Sequence, residues 1–362
     1  MKVSSNFESG KINVHDVGAH GATLSIPHDA HAPRFRQWFA FDVMGEPGTP
    51  FEVVLANARE CTWGDALGGV YKVYGSDGSA WRRLDSTMVG GKLVIRGTHA
   101  APRLRVCYYP PYPAQRLAPL RRLVRRSEGR VVQLGKTAAG RSLECLELGR
   151  GDGPPIWIIA QQHPGEAMAG WFVEGLVEFL TGGTRLATSL LERASFAIVP
   201  RMNPDGAAVG NHRTTPAGVD LNRAWLDPAA PPEVALVRAR IKERGAKFFF
   251  DVHGDERLPW VFAQPADGLA ASPENAKVIR FEQAMLELTP DYQTKHRYPH
   301  DPRGKPNLSI ASNWVHHEFG CPALTLEMPF SDHVGKPDPR GFFPARARRL
   351  GTRVPRGLAA TL

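Results

Sequence analysis

His163 and Glu166 stand three residues apart in Gln162-His-Pro-Gly-Glu166, and a second imidazole, His253, follows the run Phe248-Phe-Phe-Asp-Val252. An imidazole and a carboxylate on one turn can converge on a single cation, a donor set that suits zinc. Alone, a His-x-x-Glu pair is a weak signal, because turns use the same residues for capping. With His253 the set becomes His₂Glu, three protein ligands that leave one position of a tetrahedral ion open for water. Glu327, in Thr325-Leu-Glu327, is then a spare carboxylate able to take a proton from water that such an ion acidifies. The competing reading is a glutamate paired inside a sheet, which needs a partner for a costly buried charge. Between the ligands, Gly210–Trp225 places Arg213, Asp220, Asn222 and Arg223 on one loop. Arginine grips carboxylates with a planar fork. The loop therefore fits recognition of a substrate's terminal carboxylate beside a polarised carbonyl. An ordinary surface loop would carry the same residue types.

These groups need a scaffold that brings distant segments together. Ile156–Gln162 reads as a buried strand that ends at His163 and passes through Pro164-Gly165 into an amphipathic helix over 167–180. The alternation continues with strand Phe196–Pro200, helix Pro232–Arg244, strand Lys247–Val252, helix Pro273–Leu288 and strand Ala323–Glu327. That grammar predicts an α/β domain with a largely parallel or mixed sheet. Its polar candidates, with Asn203-Pro-Asp-Gly206 among them, fall at the carboxyl ends of strands, where such sheets place ligands. Ahead of it, Val131–Leu134 and Ser142–Leu148 read as a hairpin. Gly149–Gly153 lacks phosphate-loop spacing and reads as a turn.

Residues 1 to about 110 differ. Short β-type runs at Ile12–Val17, Ala22–Ile26, Phe35–Met44, Phe51–Ala56, Val70–Tyr74, Lys92–Ile95 and Leu104–Tyr109 predict an antiparallel β-sandwich. No cluster of catalytic groups is apparent there, and His15, His20, His28 and His31 read as surface histidines. Tyr108-Tyr-Pro-Pro-Tyr-Pro113 is a proline-stiffened connector, which sets domains at 1–112 and 113–362.

Composition bounds the rest. With 362 residues, 42% hydrophobic and 22% charged, the chain has room for two domains and the profile of a globular protein. It holds no 18-residue apolar run, and Met1–Gly10 does not read as a secretory leader. Four scattered cysteines (Cys61, Cys107, Cys145, Cys321) read as reduced, buried thiols, and together these features predict a cytoplasmic location with no membrane partner. The formal charge of +9 is concentrated in Arg116–Arg130 and in the tail from Arg340. Neither cluster interleaves aromatics as a nucleic-acid surface would, so both read as solvated helix faces and no nucleic-acid partner is expected.

The ordered set His163-Pro-Gly-Glu166, Asn203-Pro-Asp-Gly206, Val219-Asp-Leu-Asn-Arg-Ala-Trp225, Asp251-Val-His-Gly254 and Thr325-Leu-Glu327 resembles the zinc metallocarboxypeptidases, specifically their cytosolic carboxypeptidase branch. The resemblance rests on motifs over 115–330 and on strand pattern over 1–110. It implies a mixed-sheet catalytic domain behind the β-sandwich, one Zn²⁺ held by His163, Glu166 and His253, and Glu327 as general base. It also implies that Arg213 stabilises the oxyanion and helps hold substrate, Asn222 and Arg223 clamp the terminal carboxylate, and Asp220 orients a ligand histidine. A residue near Ser312 would line the pocket for the last side chain. Many members carry a tyrosine on a mobile loop over the substrate. Counting back from Glu327 gives Lys305 instead, with Tyr298 and Tyr292 nearby but out of step. The implied activity is removal of C-terminal residues from peptides or protein tails, and Arg303, Lys305 and the net charge lean toward acidic (glutamate) termini. Two other readings share some of these residues. One is a zinc amidohydrolase of N-acyl amino acids, of the aspartoacylase or desuccinylase type. The other is a non-catalytic module for peptide tails or nucleic acid.

Overall fold

The structure, a computed structural model, describes residues 1–299 and 305–362. Its first part contains β1 (Lys2–Ser4), β2 (Asn13–Val17), β3 (Gly21–Ser25), β4 (Ala40–Met44), β5 (Pro50–Leu55), β6 (Tyr74–Ser76), β7 (Trp81–Arg83), β8 (Asp85–Val89), β9 (Lys92–Thr98) and β10 (Arg103–Cys107). They form two five-stranded sheets, β1-β4-β10-β6-β7 and β2-β3-β5-β9-β8. Alternate residues point inward, as a sheet with one covered face requires. Ala22 and Leu24 of β3, with Phe51, Val53 and Leu55 of β5, are buried in one core with Phe41, Val43 and Val106 of the other sheet. The pairing is antiparallel except between β3 and β5, which run parallel. The expected strand at Val70–Tyr74 begins only at Tyr74. The unexpected strands β1, β7 and β8 have three to five residues, too short for a period to stand out.

The remainder contains α1 (Leu117–Arg126), β11 (Arg130–Lys136), β12 (Ser142–Leu148), β13 (Ile156–Ala160), α2 (Met168–Thr181), α3 (Arg185–Arg193), β14 (Phe196–Val199), α4 (Pro204–Ala208), α5 (Pro232–Arg244), β15 (Phe248–Val252), β16 (Phe262–Pro265), α6 (Asn275–Leu288), α7 (Ala311–Phe319), β17 (Ala323–Glu327) and α8 (Pro344–Ala359). Seven strands make one mixed sheet in the order β11-β12-β14-β13-β15-β17-β16. The central four, β14-β13-β15-β17, are parallel, so their carboxyl ends share one edge. Every residue of β13, β15 and β17 is buried, the pattern of strands covered on both faces. Helix α7 covers β15 and β17, while α2 packs along α8.

The α2–α8 contact is close because both helices present glycine. A Cβ on Gly175 would lie 1.9 Å from the Arg348 carbonyl oxygen, and one on Gly351 would lie 2.0 Å from that of Phe172. The arginine clusters are therefore less solvated than their sequence implies. Arg122, Arg125 and Arg126 do face water. Arg116, however, grips Glu174 with both ends of its fork (2.8 and 2.6 Å), and Arg121 binds Glu144 at 2.7 Å. In the tail, Arg346 is only 2% exposed and holds buried Asp291 bidentately at 3.0 and 2.8 Å. All four cysteines are free and buried, and His15, His20, His28 and His31 are exposed. Among the described residues, no helix is long and apolar enough to cross a membrane.

Candidate metal centre and substrate pocket

Past the end of β13, Gln161 turns the chain with φ 56°, a left-handed conformation that costs a non-glycine residue roughly 1–2 kcal/mol. Its neighbour is tied down. Asn203 donates to the Gln162 carbonyl at 3.1 Å, while the Gln162 side chain accepts from Trp225 (2.8 Å) and donates to Asp251 (2.7 Å). The turn delivers His163 and Glu166 to the edge of the sheet. Parallel pairing aligns Val252 with Leu326, so His253 and Glu327 emerge side by side.

His163, Glu166 and His253 each offer a ligand atom, and these atoms lie within 4.8 Å of one another. The two Nδ1 atoms face each other at 3.2 Å. Glu166 reaches His163 Nδ1 with Oε1 (2.6 Å) and His253 Nδ1 with Oε2 (2.7 Å), and Oε2 also accepts from the Gly254 amide at 3.0 Å. The outer nitrogens both meet carboxylates. His163 Nε2 lies 3.1 Å from Asp220 Oδ1, and His253 Nε2 lies 2.8 Å from Asp251 Oδ2. Carboxylates there favour a proton on Nε2 and turn both Nδ1 lone pairs inward. Two inward lone pairs and a carboxylate, all buried, match the donor chemistry of a divalent cation. Sequence reading singled out Asp220 but not Asp251, although Asp251 stands two residues before His253, where a strand places it on the same face.

The electrostatics are those of a closed site. Burial alone would raise the carboxyl of Glu166, but His163 and His253 reverse this and hold it well below the usual range. Asp220 is likewise held low against its burial, by His163 and then Arg213, which donates to Asp220 Oδ2 at 2.8 Å. Glu327 goes the other way. Burial pushes its carboxyl well above the usual range, and although His253 opposes this, Glu166 and Asp255 add to it. Its Oε2 is buried with no partner among the described residues, and its Oε1 meets the Tyr298 hydroxyl at 3.1 Å.

A cavity of about 410 Å³ opens over these groups. Arg213, Asn222, Arg223 and Ser312 all line it. Asn222 Oδ1 is occupied by the Ala311 amide at 2.9 Å, which leaves its amide nitrogen turned toward His253 at 3.4 Å. Ser312 lies deep, its hydroxyl 3.0 Å from that of Thr325. Tyr298 lines the cavity although it is out of step by residue count, and its hydroxyl also bonds Asp255 at 2.5 Å. Tyr292 instead bonds Glu282 at 3.1 Å. Lys305 is exposed and is not among the lining residues; Arg303 lies outside the described residues.

Asn203-Pro-Asp-Gly206 does not line the cavity. Asn203 caps α4 by accepting from Gly206 at 2.9 Å, and Asp205 gathers Thr137, Ala139 and Arg141 of the β11–β12 turn. The motif is structural bracing for the turn that carries His163. The β-rich first part, which holds no cluster of catalytic groups, does reach the cavity: Trp63 is one of its walls. A lone tryptophan in an irregular segment gave no signal of this.

A buried trio that could hold a divalent cation at the carboxyl edge of a mixed sheet, with a spare glutamate alongside, fits a metal-dependent hydrolase. Comparison with known proteins narrows that class. Residues 3–109 match the cytosolic carboxypeptidase N-terminal domain and residues 120–350 match zinc carboxypeptidase, so the chain belongs to the zinc carboxypeptidases, hydrolases of peptide bonds. It is 34% identical to an uncharacterized protein of Zymomonas mobilis over 358 residues, 97% of this chain and 94% of the other. Its fold matches a metallo-carboxypeptidase from Pseudomonas aeruginosa in complex with (2-guanidinoethylmercapto)succinic acid. The TM-score is 0.92 at 38% identity, covering 99% of this chain and 98% of that one. Cytosolic carboxypeptidase 4 of Mus musculus is 39% identical over 112 residues, but that match covers only 10% of the mouse protein.

Proposed function

We propose that this metallocarboxypeptidase binds one zinc ion through His163, Glu166 and His253 and releases single amino acids from the C-termini of peptides or protein tails. The observation that carries the reading is the facing pair of Nδ1 atoms, 3.2 Å apart and bridged by Glu166, each with its opposite nitrogen on a carboxylate. His163, Glu166 and His253 would hold the zinc, which would supply an electrophile for the scissile carbonyl and lower the pKa of water to roughly 7. Glu327 accepts the water's proton and returns it to the leaving amine. Arg213, its fork anchored on Asp220, donates to the oxygen that becomes negative. Asn222 and Arg223 hold the terminal carboxylate, and Tyr298 covers the substrate from the wall.

The side-chain pocket is polar. Gln264, Asn307, Ser312, Asn313 and Thr325 line it together with Asp267, whose Oδ2 accepts from Asn313 Nδ2 at 2.7 Å, and the acceptor Gln264 Oε1 is buried with no partner among the described residues. The amide nitrogens of Gln264 and Asn307 can donate to a carboxylate or carboxamide, and the free Gln264 Oε1 can accept from a carboxamide, which supports a polar terminal residue, glutamate included. The division near residue 112 gives a sandwich domain (1–112) and a catalytic domain (113–362). The four free, buried thiols support a cytoplasmic location.

Peptides differing only in the last residue, incubated with zinc-loaded protein and followed by mass spectrometry, test the reading. Loss of single C-terminal residues, fastest from Glu and Gln termini, is expected. Preference for Leu or Phe would remove the polar-pocket argument. Hydrolysis of N-acyl amino acids with intact peptides would replace the carboxypeptidase reading with an amidohydrolase.

A further inference from the structure

The loop that presents Arg213 is gripped from behind by the β-rich first part of the chain. Asp29 is only 3% exposed, and three consecutive amides converge on it. Its Oδ1 accepts from His212 N at 2.7 Å, and its Oδ2 accepts from Arg213 N at 2.7 Å, Thr214 N at 3.0 Å and Thr214 Oγ1 at 3.2 Å. Bonds to an ionised acceptor are the strong ones, and a concave run of amides is a natural anion cradle. Asn211 adds a second tie, since its Oδ1 accepts from Ala30 N at 3.0 Å and from Lys11 Nζ at 2.8 Å.

The side chain of Arg213 is confined in the same way. Its guanidinium carbon lies 5.4 Å from the Phe35 ring centroid and 5.9 Å from that of Trp63, within reach of both aromatic faces. The next residue back, His212, packs 5.3 Å from Trp63 and bonds Glu256 at 2.6 Å. Asp220 alone fixes one edge of the guanidinium. Asp29 fixes the backbone from which the side chain departs, and Phe35 and Trp63 limit its swing. A donor aimed at a developing negative charge is most effective when no reorganisation is needed at the moment of reaction.

We propose that Asp29 is a positioning residue for the carboxypeptidase reaction, acting through Arg213 with Trp63 as its second support, so that the first part of the chain completes the catalytic site. The proposal rests on the carboxypeptidase reading. Asp29→Asn keeps the size but turns an amide donor onto backbone N–H groups. It should lower kcat by about 10- to 100-fold, the cost of a misplaced group, with KM within about threefold and full zinc content, because the interaction matters in the transition state.

Arg213→Ala should lower kcat by about 10²–10³-fold. If Asp29 works through Arg213, the double variant is no slower than Arg213→Ala alone. Multiplying losses, or an unchanged kcat in Asp29→Asn, overturns the proposal. Should Asp29→Asn fail to fold, Trp63→Leu is carried through the same cycle and judged by the same criterion. A readout independent of turnover is the Arg213 Nε–H resonance, identified by its loss in Arg213→Lys. Its exchange with solvent should accelerate at least about tenfold in Asp29→Asn, and unaltered exchange contradicts the proposal. An inactive wild type with that acceleration intact would sink the carboxypeptidase reading while leaving Asp29 as the group that sets Arg213.

Discussion

Glu327 sits against Tyr298, with His253 and Glu166 close enough to act on its charge, and its Oε2 has no partner among the described residues. A base in such surroundings is reactive because little solvates it. Glu327→Gln preserves the shape but cannot take a proton. Turnover should fall by at least about two orders of magnitude, while zinc measured by atomic absorption stays stoichiometric, since Glu327 is outside the ligand trio. A variant that keeps its rate would take Glu327 out of the mechanism. Asp251 is the complementary case. It is not among the residues that line the cavity, but it bonds the outer nitrogen of His253 at 2.8 Å. Asp251→Asn should weaken zinc binding by about 10- to 100-fold, measured by competition with a chelating dye. Equal affinity would show that the carboxylate does not orient the imidazole.

Strand and helix ends decide which of these residues meet. Parallel pairing of β13, β15 and β17 places His163, His253 and Glu327 at one edge, and the strained turn at Gln161 directs the first of them. Behind that edge, α2 follows the turn that carries Glu166 and is pressed onto α8 through Gly175 and Gly351. Gly351→Ala would drive a methyl group toward the Phe172 carbonyl oxygen, 2.0 Å away. Alanine gains about 1 kcal/mol in helix propensity, yet overpacking of this kind costs about 1–3 kcal/mol or more. A net loss of stability in urea denaturation is expected. A stabilised variant would mean that the helices can separate freely.

For the molecule as a whole, the C-terminal helix is locked by one buried ion pair. Arg346 and Asp291 are nearly inaccessible, and Arg346 also donates to the Lys336 carbonyl at 2.7 Å. Burial alone would raise the Asp291 carboxyl, but Arg346 and then Arg349 bring it below its ordinary value. A carboxylate with a lowered folded-state pKa contributes its full stability above the unfolded-state value, near 3.9, and loses it as pH falls through the folded-state value, so the window lies below about pH 4. Arg346→Met should cost about 3–5 kcal/mol at neutral pH, because it strands a buried carboxylate. Denaturation at a series of pH values should show the gap between variant and wild type narrowing as pH falls, starting above about pH 4, where the stranded carboxylate takes up a proton, and continuing below it as the wild type loses its ion pair. A gap that stays constant would assign the loss to packing alone.

Much of the candidate site was legible in the residue order. His163, Glu166, His253 and Glu327 each end or come just after a strongly apolar run, and buried parallel strands must deliver the residues at their carboxyl ends to a common edge. Asp220 was singled out only through the family resemblance, and the fold places it 3.1 Å from His163 Nε2. What the sequence could not decide is set by contacts across large separations. Tyr298 reaches Glu327 from an irregular segment whose path no period describes, so residue counting missed it. Asp29 and Trp63 carry no signal in the sequence, because a carboxylate binding the amides of 212–214 leaves no local pattern. The arginine-rich tail read as solvent-facing, since composition does not reveal that Asp291 waits to bury one of its charges. Local periodicity encodes which face of an element is covered, and only the folded chain determines which partner covers it.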